Sequence, residues 1–477
     1  MKVSDTISNS GIQFGTSGAR GLVIDFDIET CAAFTLSFSL LLRERYTYDY
    51  VIIGIDNRPS SFMIAQFCVA ALQKIGIKHK YIGVVPTPCL ALFSLNNSQP
   101  AIMVTGSHIP FDRNGLKFYT PDGEISKDDE LCITNCTAEA LSFDADIILP
   151  DLFPVSSAAQ NYLQRYSFKS LSNILEGMRI GIYEHSSSGR DLYFKIFESL
   201  GAEVIGLERV DNFVAIDTEA VSIQDQTKAF FWSKQYKLDA IFSTDGDGDR
   251  PLIADENGKW IRGDVLGLVC SKYLNVDCVV TPINTNSSVD KCGCFKKVVK
   301  TKIGSPFVIS SANDMLKLYG SVAGFEANGG YMLFSDVDFE GNSISFLPTR
   351  DSVLPALILM IMSKKKKCNI SDLIQECTYS VTMSDRLQNI SVKDAMHLIE
   401  NIAEHASCFA KELGENQVCA INRTDGLRVC FENNHIVHFR LSGNAPELRC
   451  YVESETEDSA RNLLENALAF LENKLTH

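Results

Sequence analysis

The feature that most limits the possible folds of this chain is a regular alternation of strand-like and helix-like segments over about its first three quarters. The segments are, in order, strand-like 51–55, helical 60–75, strand-like 81–84 and 101–104, then strand-like 178–183, helical 191–200, strand-like 203–207 and 239–242, and finally strand-like 279–282 and helical 352–362. Such alternation predicts right-handed βαβ crossovers and mainly parallel sheets. Because the pattern restarts twice, it indicates tandem α/β domains.

The last part of the chain has a different pattern. Shorter strand-like runs occur at 427–431, 436–440 and 448–452, and a helix is predicted from about residue 459. The polar stretch 363–369 is typical of a linker. We therefore predict three α/β domains with mixed, mainly parallel sheets and a smaller C-terminal α+β domain with an antiparallel sheet. The expected domains are 1–150, 151–257, 258–368 and 369–477.

Composition excludes several classes of partner. The net charge of −15 argues against nucleic acid and anionic membranes, which bind basic surfaces. No apolar run approaches the length of a membrane span. The fifteen cysteines are scattered without a disulfide framework, and the C-x-C pair Cys292 and Cys294 has no second pair at zinc spacing. We expect a cytoplasmic protein.

An acidic, glycine-rich loop, D-G-D-G-D-R at 245–250, directly follows the apolar run 238–242. Glycines permit a tight turn, so that the side chains of Asp245, Asp247 and Asp249 can point to one place. Converging carboxylates repel one another unless a cation lies between them. Oxygen ligands select hard ions, and the loop therefore predicts an Mg²⁺ or Ca²⁺ site.

Other interpretations of this loop remain open. A solvated turn is common for such a composition. An EF-hand would place Glu256 at its twelfth position, but Arg250 stands where that loop needs glycine, and the preceding run is strand-like. A phosphatase with an aspartyl nucleophile also places D-x-D after a strand, but its chemistry needs no separate serine.

A serine loop supplies a possible nucleophile. The sequence T-G-S-H-I-P at 105–110 follows the strand-like run 101–104. A serine such as Ser107 needs a base or a metal for activation, and His108 and Lys117 could transfer protons. The G-x-S-x-G pattern of serine hydrolases does not fit around Ser107. Because ligands of α/β domains bind beyond the carboxyl ends of strands, we expect these loops to converge on one central cleft.

Together the loops resemble the α-D-phosphohexomutase superfamily, the family of phosphomannomutase and phosphoglucomutase, over nearly the whole chain. Five motifs occur in the family's order: G-T-S-G-A-R-G at 15–21, T-G-S-H-x-P at 105–110, D-G-D-G-D-R at 245–250, G-F-E-A-N-G-G at 324–330 and R-L-S-G-N-A-P-E-L-R at 440–449. The segment T-K-I-G at 301–304 is a weaker match. One motif could arise by chance, whereas five in order form a specific signal.

The resemblance implies a phosphoryl-transfer site. Ser107 would carry the phosphoryl group, Arg20 would face it, and a hexose 1,6-bisphosphate would act as activator. We expect Lys117 to be the main general acid/base, assisted by His108. One Mg²⁺ per chain would be held by Ser107, Asp245, Asp247 and Asp249.

The resemblance also implies the residues that bind the sugar phosphate. Carboxylate and amide groups can bind sugar hydroxyls, and guanidinium groups can enclose a phosphate. The expected residues are Arg250, Glu326, Asn328, Arg440, Ser442, Gly443, Asn444 and Arg449.

Four positions, in three of the motifs, depart from the family's pattern. Ile109 stands where asparagine is usual, which alters how the serine turn is held. Gly330 replaces a histidine of many members, so the other candidate proton carriers must suffice here. The residues N-A at 444–445 replace T-E in the phosphate loop.

The expected activity is the interconversion of mannose 6-phosphate and mannose 1-phosphate through a phosphoserine and a 1,6-bisphosphate. The alternatives are the same reaction on glucose, glucosamine or N-acetylglucosamine phosphates, a sugar phosphatase, and a non-catalytic sugar-phosphate-binding protein. We expect a monomer or homodimer whose partners are small sugar phosphates, with a last domain that closes over the substrate.

Overall fold

The computed structural model describes residues 1–15, 17–144, 146–441 and 447–475. Its first sheet consists of β1 Gln13–Phe14, β2 Ala19–Leu22, β3 Tyr50–Ile55, β4 Lys78–Val84, β5 Ala101–Val104, β6 Arg113–Thr120 and β7 Gly123–Glu124. The accompanying helices are α1 Val3–Asn9, α2 Ile28–Arg45, α3 Ser61–Lys74, α4 Thr87–Asn97 and α5 Lys127–Thr134. The order is β1-β2-β6-β5-β3-β4, with β7 on β6. Strands β4, β3 and β5 run parallel, as predicted, and β6 and β2 continue the sheet antiparallel.

The second sheet repeats this plan with fewer strands. It contains α6 Ser157–Arg165, β8 Arg179–His185, α7 Arg190–Ser199, β9 Glu203–Arg209, α8 Ile223–Tyr236, β10 Ala240–Thr244, β11 Pro251–Ala254 and β12 Trp260–Ile261. The order is β12-β11-β10-β8-β9, in which β10, β8 and β9 are parallel. The turn from β10 into antiparallel β11 is the acidic loop.

The third sheet has the order β14-β13-β15-β16 and is parallel except for its last pair. Its elements are α9 Gly263–Tyr273, β13 Cys278–Pro282, α10 Ser288–Lys291, β14 Lys297–Thr301, α11 Ser305–Met315, β15 Val322–Phe325 and β16 Tyr331–Leu333. A hairpin follows, then two helices: β17 Val337–Phe339, β18 Asn342–Ile344, α12 Val353–Lys366 and α13 Ile370–Cys377.

The predicted linker at 363–369 is partly wrong. Helix α12 continues to Lys366 and ends at Lys367, which has a left-handed φ of 53°. Lysines are good helix formers, and their charges are favourable beside the negative end of a helix dipole. The polar run therefore extends a helix whose preceding turns are almost wholly buried.

The last sheet is antiparallel throughout, as predicted. Its order is β19-β23-β22-β21-β20. The elements are β19 Val381–Gln388, α14 Val392–Glu404, α15 Ala406–Leu413, β20 Val418–Asn422, β21 Leu427–Phe431, β22 Ile436–Leu441, β23 Glu447–Ser454 and α16 Glu457–Leu475. The mixed α/β class with an antiparallel C-terminal sheet is thus confirmed. The domain boundaries at 150, 257 and 368 stay a prediction.

The cores explain how these parts are joined. One hydrophobic cluster includes residues from the first three sheets, such as Ile52, Phe242 and Val279. The last sheet packs on a cluster of its own, built from residues 395–471. Its junction with the third sheet is polar: the Asn286 side chain donates to the Ser380 carbonyl, and several groups bond to Glu453. None of the helices within the described part of the chain is long and apolar enough to cross a membrane.

Candidate active site

Ser107 lies immediately after the carboxyl end of β5 and faces the acidic loop. Its side chain is buried, and its backbone is left-handed, with φ at 54°. The Ser107 amide donates to Thr105 Oγ1 at 2.8 Å, and Ser107 Oγ donates to Asp245 Oδ2 at 2.8 Å. The two loops that the sequence singled out are therefore in direct contact.

Arg58 holds the serine loop in this conformation. Its Nη1 donates to the carbonyls of Pro110 and Arg113, at 2.6 and 2.9 Å, and its Nη2 to those of Ser107 and Ile109, at 2.9 and 2.5 Å. A buried Asp56 lies 3.2 Å from Arg58 Nε. The turn is thus held through its main chain, including the position where Ile109 departs from the family's pattern.

Gly106 permits this close approach of Arg58. A Cβ atom at that position would lie 2.7 Å from Arg58 Cζ and 2.8 Å from Nε. Sequence analysis missed Arg58, although the D-x-R at 56–58 directly follows a predicted strand at the ligand-binding edge of the sheet.

The acidic loop brings three buried carboxylates together. One ligand atom from each of Asp245, Asp247 and Asp249 lies within 4.8 Å of the others. Burial, and then the charges of the other two, hold the pKa of Asp245 well above its usual range. The Oδ1 atoms of Asp247 and Asp249 are buried without a hydrogen-bond partner among the described residues. Unsatisfied hard oxygen donors in this arrangement fit Mg²⁺.

Lys117 lies on β6 and points into the same carboxylates. Its Nζ is 2.6 Å from Asp247 Oδ2 and 2.8 Å from Asp249 Oδ2. Burial lowers the pKa of Lys117, but these two charges outweigh burial and hold the pKa above its ordinary value. In this arrangement Lys117 is a charged counter-ion of the acidic loop. Its role as general acid/base stays a prediction.

His108 lies beside Ser107, and the charges of Arg250 and Arg20 act on it. His108 Nδ1 lies 3.5 Å from Ser107 Oγ and 3.0 Å from Arg250 Nη1. Burial, then Arg250 and Arg20, hold the pKa of His108 well below its usual value, so this imidazole is neutral at physiological pH. Burial and Arg250 also lower the pKa of Arg20 to about 10, which still leaves it charged. These cations create a positive environment suited to a phosphoryl group.

The loop predicted to recognise the sugar, residues 324–330, begins in the last two residues of β15. Glu326 is buried, and Asn328 Oδ1 accepts from the Gly330 amide at 3.0 Å. Thr218, next to the second sheet, donates to the Asn328 carbonyl at 2.7 Å. The Glu326 carboxylate accepts from Arg350 Nε at 2.7 Å. Sequence analysis missed Arg350; its only signal was a charged residue just before the predicted helix 352–362.

The two arginines predicted to bind phosphate lie on the last sheet. Arg440 on β22 and Arg449 on β23 are direct cross-strand partners. Like charges in such a pair repel, and each has a carboxylate partner: Asp425 Oδ2 at 2.9 Å from Arg440 Nε, and Glu447 Oε1 at 2.9 Å from Arg449 Nη2. The Ile303 amide also donates to Asp425 Oδ2, at 2.8 Å, which joins the loop 301–304 to Arg440. The predicted ligands Ser442, Gly443 and Asn444 lie outside the described residues.

The site combines loops from successive sheets. Ser107 and Lys117 of the first sheet contact the aspartates of the second, and Arg350 Nη1 lies 3.5 Å from Asp249 Oδ2. This arrangement can hold a cation beside a buried serine hydroxyl. It can also present a carboxylate and guanidinium groups to a phosphorylated polyol.

Comparison with known families agrees with this geometry. Models of the phosphoglucomutase/phosphomannomutase family match residues 11–142 as alpha/beta/alpha domain I, 262–380 as alpha/beta/alpha domain III and 387–469 as the C-terminal domain. This chain belongs to that family. It is therefore an enzyme of the phosphohexomutase class, and the family is Mg²⁺-dependent.

Individual relatives support the assignment over the full length. The chain is 52% identical to a phosphomannomutase of Salmonella muenchen, covering 99% of this chain and 98% of that protein. It is 40% identical to a phosphomannomutase of Sinorhizobium fredii, covering 98% and 100%. The fold matches a phosphoglucomutase/phosphomannomutase family protein from Burkholderia thailandensis with a TM-score of 0.74, covering 96% and 97% at 17% identity.

Proposed function

We propose that this chain interconverts mannose 6-phosphate and mannose 1-phosphate, with Ser107 as the phosphoryl carrier. The observation that carries the proposal is the buried Ser107 hydroxyl, 2.8 Å from Asp245 within the three-aspartate cluster. A serine beside a potential cation site and a set of charged arginines suits phosphoryl transfer. The full-length identity to two phosphomannomutases supports mannose as the sugar.

In this mechanism the phosphoryl group moves from Ser107 Oγ to the free hydroxyl of the bound sugar phosphate. The P–O bond to Ser107 breaks, a new P–O bond forms to the sugar, and the proton of that hydroxyl passes to a base on the enzyme. The resulting 1,6-bisphosphate turns around in the cleft. Ser107 Oγ then accepts the other phosphoryl group, the P–O bond to the sugar breaks, and the enzyme returns a proton to the sugar oxygen that leaves. A hexose 1,6-bisphosphate supplied from solution would phosphorylate Ser107 in the same way and act as activator.

The chain's own residues would stabilise this transfer electrostatically. Arg20 and Arg250, whose charges both act on His108 beside Ser107, would face the oxygens of a phosphoryl group on Ser107. Mg²⁺ held by Ser107, Asp245, Asp247 and Asp249 would supply positive charge against those oxygens. Lys117, whose ammonium lies between Asp247 and Asp249, would exchange a proton with the reacting sugar hydroxyl.

The sugar and its distal phosphate would be held by the later loops. Glu326 and Asn328 would bind the sugar hydroxyls in both orientations. Arg440 and Arg449, with Ser442, Gly443 and Asn444, would bind the phosphate that does not react. Because the last sheet has its own core and a polar junction, we expect it to close over the substrate.

A panel of sugar phosphates tests the proposal. Mannose, glucose, glucosamine and N-acetylglucosamine 1-phosphates would each be assayed with Mg²⁺ and the matching 1,6-bisphosphate. We expect the fastest conversion with mannose 1-phosphate and no conversion by Ser107→Ala, which should keep the wild-type circular dichroism spectrum. Ser8→Ala, at an exposed position of helix α1, is the matched control. A different fastest sugar would refute the assignment of mannose, and release of free phosphate would refute the mutase mechanism.

A further inference from the structure

We propose that Arg350 is a positioning residue for the sugar-recognition loop, and that glycine at position 330 is required because the Arg350 side chain occupies the adjacent space. The inference rests on the proposed function, since it concerns recognition of the same substrate. It identifies a part of the site that lies outside all five sequence motifs.

The first observation is the position of the Arg350 guanidinium. Its Nε donates to Glu326 Oε2 at 2.7 Å, and its Nη1 lies 3.5 Å from Asp249 Oδ2. The Arg350 side chain is only 4% exposed. It therefore connects the carboxylate expected to bind the sugar with one of the carboxylates expected to bind the metal.

The second observation concerns Gly330. A Cβ atom there would lie 2.4 Å from Arg350 Cδ and 2.8 Å from both Cγ and Nε, and these are its three nearest atoms. The backbone of Gly330 is not left-handed, unlike that of Gly329 with its φ of 93°. An alanine is therefore compatible with the backbone at 330, and the obstacle to it is the side chain of Arg350.

The third observation is that the neighbours of Arg350 are firmly held. Asp351 accepts hydrogen bonds from the Tyr166 hydroxyl at 2.6 Å and from Arg165 Nε at 3.2 Å. Ser352 Oγ donates to the Gly248 carbonyl at 2.7 Å. Arg350 therefore cannot shift as part of a mobile loop to make room for a side chain at position 330.

These contacts give Arg350 a defined role. It binds Oε2 of Glu326 and so fixes the plane of that carboxylate, which leaves Oε1 to accept from a sugar hydroxyl. Without Arg350, the buried carboxylate loses its cation and can rotate. A substituent at position 330 would displace the guanidinium and have the same result. The sugar loop is thus completed by a residue that follows it by some twenty positions.

The test is a double-mutant cycle on the full-length enzyme. Arg350→Ala and Gly330→Ala should each lower kcat/KM for the best sugar by about 10- to 100-fold, the usual effect of losing a charged hydrogen bond. Combining them should cost no more than Arg350→Ala alone, because the added methyl group then has no arginine to displace. Each change should also alter the ratio of kcat/KM values between mannose and glucose 1-phosphates.

Two variants serve as controls. Arg179→Ala removes an arginine whose Nε donates to Glu203 Oε2 at 3.1 Å at the surface. Gly320→Ala adds a methyl group at an exposed glycine, where the nearest atom lies at 3.4 Å. Both control variants should leave the ratio of kcat/KM values between mannose and glucose 1-phosphates unchanged. If Arg350→Ala does not fold, Arg350→Ser replaces it in the same cycle, since it also removes Cγ and Cδ, the carbon atoms nearest to a substituent at position 330.

The outcomes distinguish this inference from the proposed function. Full activity of Gly330→Ala would overturn the inference. The same holds if the two losses in kcat/KM multiply in the double variant, or if no variant changes the ratio of kcat/KM between mannose and glucose 1-phosphates. If the wild-type protein converts no sugar phosphate, the proposed function itself fails. A non-additive cycle with a changed ratio would support Arg350 as a positioning residue.

Discussion

Replacement of Arg58 should impair both folding and catalysis, and a second substitution at Asp56 should separate the two effects. Arg58 is buried, donates to four main-chain carbonyls around Ser107, and pairs with the equally buried Asp56. Arg58→Ala removes all of these contacts while leaving Ser107 and the aspartates in place. We therefore expect both lower stability and a serine loop that no longer presents its hydroxyl correctly.

The magnitudes follow from the burial of the pair. Both side chains have 0% exposure, and breaking a buried ion pair by removing one partner costs about 3–5 kcal/mol. Asp56 keeps bonds from Ser61 Oγ and Thr105 Oγ1, each at 2.6 Å, which favours the lower end of that range. A displacement of about 1 Å at the nucleophile can lower the rate by about 10²-fold.

The loss of stability should depend on pH. Burial raises the pKa of Asp56, and Arg58 opposes that rise. In Arg58→Ala, the pKa of Asp56 in the folded state lies still further above its value in the unfolded state. Protonation of Asp56 therefore stabilises the folded state at low pH. This stabilisation is lost as the pH rises through the folded-state pKa. The stability deficit of Arg58→Ala should therefore grow as the pH rises above about 3.9, the ordinary pKa of an aspartate, in urea unfolding experiments.

The double variant Asp56→Asn, Arg58→Ala is the decisive control. It leaves no unpaired buried charge, so we expect most of the stability to return and the pH dependence to disappear. Activity should stay low, because the carbonyls of the serine loop still lack their donor. The reasoning is refuted if Arg58→Ala keeps wild-type stability and kcat, or if the double variant regains activity together with stability.

Three further predictions concern other parts of the site. Asp425→Asn weakens the support of Arg440 and the bond from Ile303, so KM should rise by about 10- to 100-fold with little change in kcat in steady-state assays; an unchanged KM would contradict this role. Burial and Arg250 hold the pKa of His108 low, so His108→Asn should leave the acid limb of the pH profile of kcat/KM in place. If the acid limb disappears in this variant, His108 is the group whose protonation produces it. Treatment with a chelator should abolish turnover, and added Mg²⁺ should restore it; metal-independent turnover would contradict the cation site.

The fold and the loops named by motifs could be predicted from the sequence because their signals are local. Alternating β-branched and helical runs gave strands such as Ala101–Val104 and Cys278–Pro282, and the positions of the loops follow from where strands end. The contact of Ser107 with Asp245 agrees with the expected convergence of these loops. In contrast, the end of α12 was predicted too early, because the lysines that extend the helix also resemble a polar linker.

Arg58 and Arg350 could not be assigned roles from the sequence, because both act through tertiary contacts. Arg58 donates to carbonyls some fifty positions away along the chain. A pattern of side chains in the sequence does not predict which main-chain carbonyls will accept such hydrogen bonds. Arg350 meets Glu326 and Asp249 only after the second and third sheets pack together. The position of Lys117 among the aspartates likewise follows from strand pairing across the first sheet rather than from any spacing in the sequence.

The central claim is that Ser107 carries the phosphoryl group, and peptide mass spectrometry tests it most directly. The protein would be incubated with mannose 1,6-bisphosphate and Mg²⁺, and one half of it would then be incubated with excess mannose 1-phosphate. Both halves would be acid-quenched and digested, and their Ser107 peptides compared. We predict a phosphate on Ser107 that mannose 1-phosphate removes with formation of the 1,6-bisphosphate, and none in Ser107→Ala. A phosphate on an aspartate of the acidic loop, or turnover without any phosphate on Ser107, would contradict the account.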